Sequence, residues 1–94
     1  MNYIVLKGRI EQVIQSRPLD IEAHNDLFDL CREYEKVDFT VAHEWNREMR
    51  TYVGYGLRLA VDKHDFLMAE RFNDLLFRSL LFDAPHFFDE YLQA

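Results

Sequence analysis

The side chains with the means to do chemistry in this chain are four histidines, one cysteine and several carboxylate pairs. Metal binding needs ligands that converge, such as two histidines one helical turn apart. His43-Glu44 opens like a zincin motif, but Arg47 stands where the second histidine would be. Asp20 and His24 are one turn apart, with no third ligand at an obvious spacing. His24, His43, His64 and His86 therefore read as surface or capping residues, and no metal is expected. The carboxylates Glu44/Glu48 and Glu70/Asp74 are spaced i,i+4. General acid–base work needs surroundings that push two pKa values apart, whereas these pairs fall on polar faces where both stay ionised. Their neighbours suggest helix-surface ion pairs, Glu44 with Arg47 and Asp74 with Arg78, each worth roughly 0.3 kcal/mol. Neither G-x-x-x-x-G-K-[ST] nor G-x-G-x-x-G occurs. No backbone cradle for phosphates is written here, and no cofactor is expected in this chain. Cys31 sits among Leu27, Leu30 and Tyr34 at helical spacing and reads as a small buried hydrophobe. A lone cysteine rules out an intrachain disulfide and fits a reducing compartment.

Binding surfaces are better represented than reactive groups. Arg47, Arg50, Gly54 and Arg58 step by three, four and four, so they share one helical face, with Thr51 beside it. Arginines next to a residue without a side chain can approach a phosphate backbone closely. The competing reading is a solvated face partly neutralised by Glu44 and Glu48. Near the C-terminus, Phe82, Phe87, Phe88 and Tyr91 form a second candidate surface. Aromatic stripes at helical spacing are more often core. Eight phenylalanines are many for so short a chain, however, and any left outside would mark a contact with another domain or subunit.

The elements that position these residues follow from apolar spacing. Tyr3, Leu6, Ile10, Val13 and Ile14 predict a first helix from about 2 to 16, ended by Arg17-Pro18. Asp20 caps a second from about 21 to 36, with the stripe Ala23, Leu27, Leu30, Cys31 and Tyr34. Asp38 or Thr40 caps a third, from about 40 to 61, through Ala42, Trp45, Met49, Tyr52, Val53, Leu59 and Ala60. Gly54 and Gly56 lie inside it, and a close neighbour, a kink or a break would each account for them. A fourth, from about 65 to 81, has the widest apolar face and is expected to be the most buried. Asp83-Ala84-Pro85 then reads as a restart, with Asp83 as cap and Pro85 in the first turn of a fifth helix. That helix reaches Ala94 without a stop signal, as an N-terminal piece of a longer chain would.

These elements predict an all-α domain, a small bundle of about five helices spanning residues 1–94. Three glycines and two prolines are too few for the turns of a sandwich or barrel. Eleven Lys+Arg against 17 Asp+Glu leave a net charge of −6, which argues against autonomous DNA binding though not against a local basic patch. Residues 1–61 carry 8 basic and 10 acidic side chains, and residues 62–94 carry 3 and 7. No apolar run is long enough to span a bilayer and no signal sequence is visible, so the chain reads as cytoplasmic without a membrane partner.

The segment from Leu80 to Leu92 resembles the large terminase subunits of tailed bacteriophages. In that family a helical N-terminal region precedes the packaging ATPase and contains an Ala-Pro-x-x-Phe-Asp-x-Tyr-like element. Here the matching residues are Ala84, Pro85, Phe88, Asp89 and Tyr91. The resemblance implies a docking or regulatory domain of the ATP-driven motor that packages viral DNA, acting in the host cytoplasm. Its partner would be the following ATPase domain, the small terminase subunit, the portal or, weakly, DNA, and the resemblance does not choose among them. The strip of Arg47, Arg50 and Arg58 is the candidate DNA or partner contact by its spacing. Phe87, Phe88 and Tyr91 would form the interdomain face. ATP and Mg, together with the ATPase and nuclease centres, would belong to the parent protein outside these residues. The competing function is a stand-alone helical adaptor for protein–protein contact. A small enzyme is the weakest reading, because no nucleophile, base and metal set converges.

Overall fold

Side-chain oxygens start each helix. Asn2 accepts from the Ile4 amide at 2.9 Å and opens α1, Tyr3–Ser16. Asp20 accepts from the Ala23 amide at 3.2 Å and opens α2, Ile21–Tyr34. Asp38 accepts from the Val41 amide at 3.2 Å and opens α3, Phe39–Asp62. Asp65 accepts from the Met68 amide at 3.1 Å and opens α4, Phe66–Gln93. Each bond satisfies an amide that the first turn leaves without a helical partner. The structure, a computed structural model, describes the backbone of residues 2–93 and the side chains of residues 2–85.

The chain is all-α, with four helices and no strand among the described residues. The expected fifth helix is absent as a separate element. Residues 83–85 continue α4, with Pro85 inside it. Proline forfeits one helical hydrogen bond and crowds the preceding turn, a cost of about 3 kcal/mol. The restart required Asp83 to cap its own backbone, but its carboxylate is bonded to α3 instead. Tertiary bonding overrides the local signal, and one helix results.

Between α3 and α4 the reversal is made by a C-terminal cap. The Asp65 amide donates to the Ala60 carbonyl at 2.9 Å, and the His64 amide to that of Val61 at 3.0 Å. His64 holds the left-handed position with φ 60°, where glycine is usual. The two helices then run antiparallel. α2 is the central element and packs on α1, α3 and α4. Ile14, Leu27, Phe28, Met49, Val53, Phe72 and Leu75 form the core. Cys31 is fully buried beside it, and burial pushes its thiol up to about 12. At the edge of the core, Tyr34 of α2 stacks on Trp45 of α3 at 4.7 Å, and Lys7 of α1 lies over the Trp45 ring at 4.9 Å. Overall the fold is a thin slab of 43 × 33 × 14 Å. A 28-residue helix is about 42 Å long, so α4 spans the long edge.

The two glycines of α3 are unlike each other. A Cβ at Gly56 would lie 2.6 Å from Phe72 Cε1 and 2.9 Å from the Pro18 carbonyl oxygen. A Cβ at Gly54 would meet nothing within 4 Å. Close approach therefore explains Gly56, while nothing in the packing requires Gly54. Gly56→Ala is expected to destabilise the fold by about 1–3 kcal/mol through overpacking. Gly54→Ala is expected to stabilise it by about 0.5–1 kcal/mol through helix propensity. Urea midpoints at an unchanged slope distinguish the two signs.

Candidate functional site

Polar residues gather where α3 faces the second half of α4. On α3, His43, Asn46 and Arg50 step by three and four, one position after the apolar stripe of Ala42, Trp45 and Met49. On α4, Ser79 and Asp83 continue at core register beyond Phe72 and Leu75. The hairpin brings both rows together. His43, Asn46, Ser79 and Asp83 are all buried, with Arg50 at their margin.

The bonds interlock. His43 Nδ1 is hydrogen-bonded with Asp83 Oδ1 at 2.6 Å, and its Nε2 with Glu35 Oε2 at 2.7 Å. Arg50 donates to the other Asp83 oxygen and to the Ser79 hydroxyl at 3.2 Å. Ser79 donates its hydroxyl to Asn46 Oδ1 at 2.7 Å, and Asn46 Nδ2 donates to the Ser79 carbonyl at 3.0 Å. The His43 ring is also stacked on Phe82 at 4.4 Å and tilted against Phe39 at 4.3 Å. Burial pushes the Asp83 carboxyl upward, but hydrogen bonds from Arg50, His43 and Asn46 outweigh it and hold it below its ordinary value.

Serine, histidine and aspartate lie within one cluster here without forming a nucleophile and its base. The Ser79 hydroxyl proton goes to Asn46, and the His43 nitrogens are committed to two carboxylates. The cluster is a lock between helices. Neither His43 nor Asp83 was legible in this role. The available signal was polarity at core register on two helices, which gains meaning only once the hairpin pairs them.

The arginine strip divides. Arg47 and Arg58 are exposed, as is Thr51 between them, but Arg50 turns inward to Ser79 and Asp83. It is a structural cation and is withdrawn from any phosphate contact. The expected pairs Glu44–Arg47 and Asp74–Arg78 do not form. Glu48 bonds Lys7 at 3.2 Å, and Arg78 lies over the Phe28 ring at 5.2 Å. Two histidines expected at the surface are buried, His24 and His43. His24 donates from Nε2 to the Pro18 carbonyl at 3.1 Å and sits edge-on to Phe72. Its Nδ1 has no protein partner. Burial therefore lowers its pKa against the opposing pull of Pro18 and Asp20. Asp20 accepts from the Ala23 amide as the cap of α2.

Phe82 is packed inward against Phe28 and His43. The side chains of Phe87, Phe88 and Tyr91 lie outside the described residues. A different apolar surface is present on α4, contrary to the expectation that this helix is the most buried. Phe66 and Leu67 are each 66% exposed, Phe77 61%, Leu81 55% and Leu80 47%. Glu70 and Asp74 are exposed on the same side, between Leu67 and Phe77. No described helix is long and apolar enough to cross a membrane. Compared with protein-family models, curated proteins and solved structures, the chain has no match.

Asp83→Ala is expected to cost about 3 kcal/mol or more, because it leaves Arg50 and His43 without their shared acceptor. Urea unfolding measures that loss. Stability should also fall in two acid steps. The pKa of His24 is lower folded than unfolded, so the unfolded chain gains the proton first, and stability present above pH 6.5 declines below it. The Asp83 value is likewise depressed, so its contribution holds above 3.8 and is lost as pH drops through the folded value. Unfolding at pH values on either side of each step tests this, and His24→Gln should abolish the first step alone.

Proposed function

We propose that this chain is a docking domain that holds a protein partner on the outer face of α4. One observation carries the reading: Phe66, Leu67, Phe77 and Leu81 are each more than half exposed on one face of a helix whose opposite face is locked to α3. Single exposed apolar residues are ordinary, whereas a run of them along one helix face favours a contact. Ser79 and Asp83 on the inner face are bonded to α3, whereas Phe66, Leu67, Phe77 and Leu81 on the outer face are exposed.

The parent protein in this reading is the large terminase subunit of a tailed bacteriophage, the ATP-driven motor that packages viral DNA. Ala84, Pro85, Phe88, Asp89 and Tyr91 support it by their resemblance to that family, and they lie on the continuation of the same helix. The domain would contact the ATPase domain, the small subunit or the portal, while ATP and Mg act elsewhere in the parent. DNA contact is the lesser role, since only Arg47 and Arg58 of the strip remain available and the net charge is −6. The other reading is an adaptor with no motor attached.

The test uses the complete gene product. The motor reading expects DNA-stimulated ATP hydrolysis, and its absence selects the adaptor. Phe77→Ser with Leu81→Ser should leave hydrolysis and thermal unfolding unchanged. The same pair should weaken association with packaging components by about tenfold or more, about 1.4 kcal/mol. Unchanged association would remove α4 as the docking face.

A further inference from the structure

We infer that the helix docked on α4 is apolar at the ends of its contact face and basic at its centre. This rests on the docking role proposed above and adds the partner's chemistry. Leu67, Glu70, Asp74, Phe77 and Leu81 step by three, four, three and four. That is the spacing of a seam between two paired helices, and it covers about 21 Å of α4. The end positions are exposed leucines, with Phe77 between the acidic centre and Leu81. The second and third positions, Glu70 and Asp74, are exposed carboxylates. Neither Glu70 nor Asp74 has a hydrogen bond or ion pair among the described residues. Arg71 and Arg78 flank the seam on the side of α2, where both line a groove with Ile21, Glu22, Asn25 and Asp74 itself, yet neither arginine is within ion-pair distance of Asp74. Arg58 of α3 is not paired with the seam either.

A helix covering this seam desolvates both carboxylates. An apolar centre would leave two buried, unpaired charges, which is costly. Lysine or arginine at those layers instead makes charge-assisted bonds. A second copy is disfavoured by the same pattern. In parallel register Glu70 meets Glu70 and Asp74 meets Asp74, and an antiparallel pair centred on residue 74 again sets Asp74 against itself. Like charges at the centre act against self-pairing and leave a basic helix favoured. An anionic membrane surface is repelled for the same reason.

The test uses synthetic three-heptad helical peptides with leucine at the outer seam positions. The two seam positions that face Glu70 and Asp74 carry arginine, glutamate or leucine. Fluorescence anisotropy against the wild-type chain should show the arginine peptide binding at least about tenfold tighter than the glutamate peptide, with the preference shrinking at high salt. Glu70→Lys with Asp74→Lys should reverse the order. Surface charge reversal leaves the core intact, and an unchanged circular dichroism melt verifies that. Equal binding of all three peptides overturns the inference about charge while leaving the docking face in place. Tightest binding by the leucine peptide, or binding by none, overturns it too. A dimer of the wild-type chain in sedimentation at micromolar concentration would identify a second copy as the occupant and overturn it as well.

Discussion

One buried carboxylate governs the geometry of this molecule. Asp83 is 2% exposed, and both its oxygens are taken by α3, one by His43 and one by Arg50. An ionised group at such depth is tolerable only with partners in place. Those partners come from positions 43 and 50, nearly two turns apart, so they admit one register of α4 against α3. Asn46 and Ser79 repeat the constraint one turn away with two further bonds. Apolar packing alone tolerates some sliding between helices. A buried polar row does not, because each slipped alternative strands a donor or an acceptor.

Continuity of α4 through Pro85 has the same cause. The backbone there would end a helix in isolation, since proline opposes one and Asp83 is a good cap. Holding Asp83 against His43 and Arg50 keeps that turn on the helical path. Once α4 is fixed in register, its rotation is fixed as well. Phe72, Leu75, Ser79 and Asp83 face inward, so Leu67, Glu70, Asp74, Phe77 and Leu81 must face out. The apolar outer strip is therefore a consequence of the lock. In a slab only 14 Å thick, no further helix among the described residues lies over it.

What the amino-acid sequence discloses divides along the line between local and non-local physics. Asp20 was legible as a cap, and Asp38 as one of two candidates beside Thr40, because a cap bonds within its own first turn. Cys31 was legible as core because its stripe is local. Gly54 and Gly56 look alike in sequence and differ in the fold, because only Gly56 meets Phe72 and the Pro18 carbonyl, both from distant segments. Arg50 shares a face with Arg47 and Arg58, yet a long side chain at the margin of that face can turn inward when a buried acid waits there. Asp83-Ala84-Pro85 carried a clear local signal that lost to tertiary bonding. The wide apolar face of α4 was visible, but its periodicity does not say how much of its width other helices cover.

Polarity plays opposite parts on the two faces of α4. On the inner face, every polar group among Ser79 and Asp83 is answered by α3, so charge there defines the fold and has nothing left for a partner. On the outer face, Glu70 and Asp74 are unanswered within the described chain and sit among exposed apolar residues. Hydrophobic contact supplies attraction with little discrimination, whereas an unpaired charge inside a contact penalises every occupant that fails to match it. The inner charges select one arrangement of this chain's own helices. By the same physics, the outer charges restrict which foreign helix can replace water there.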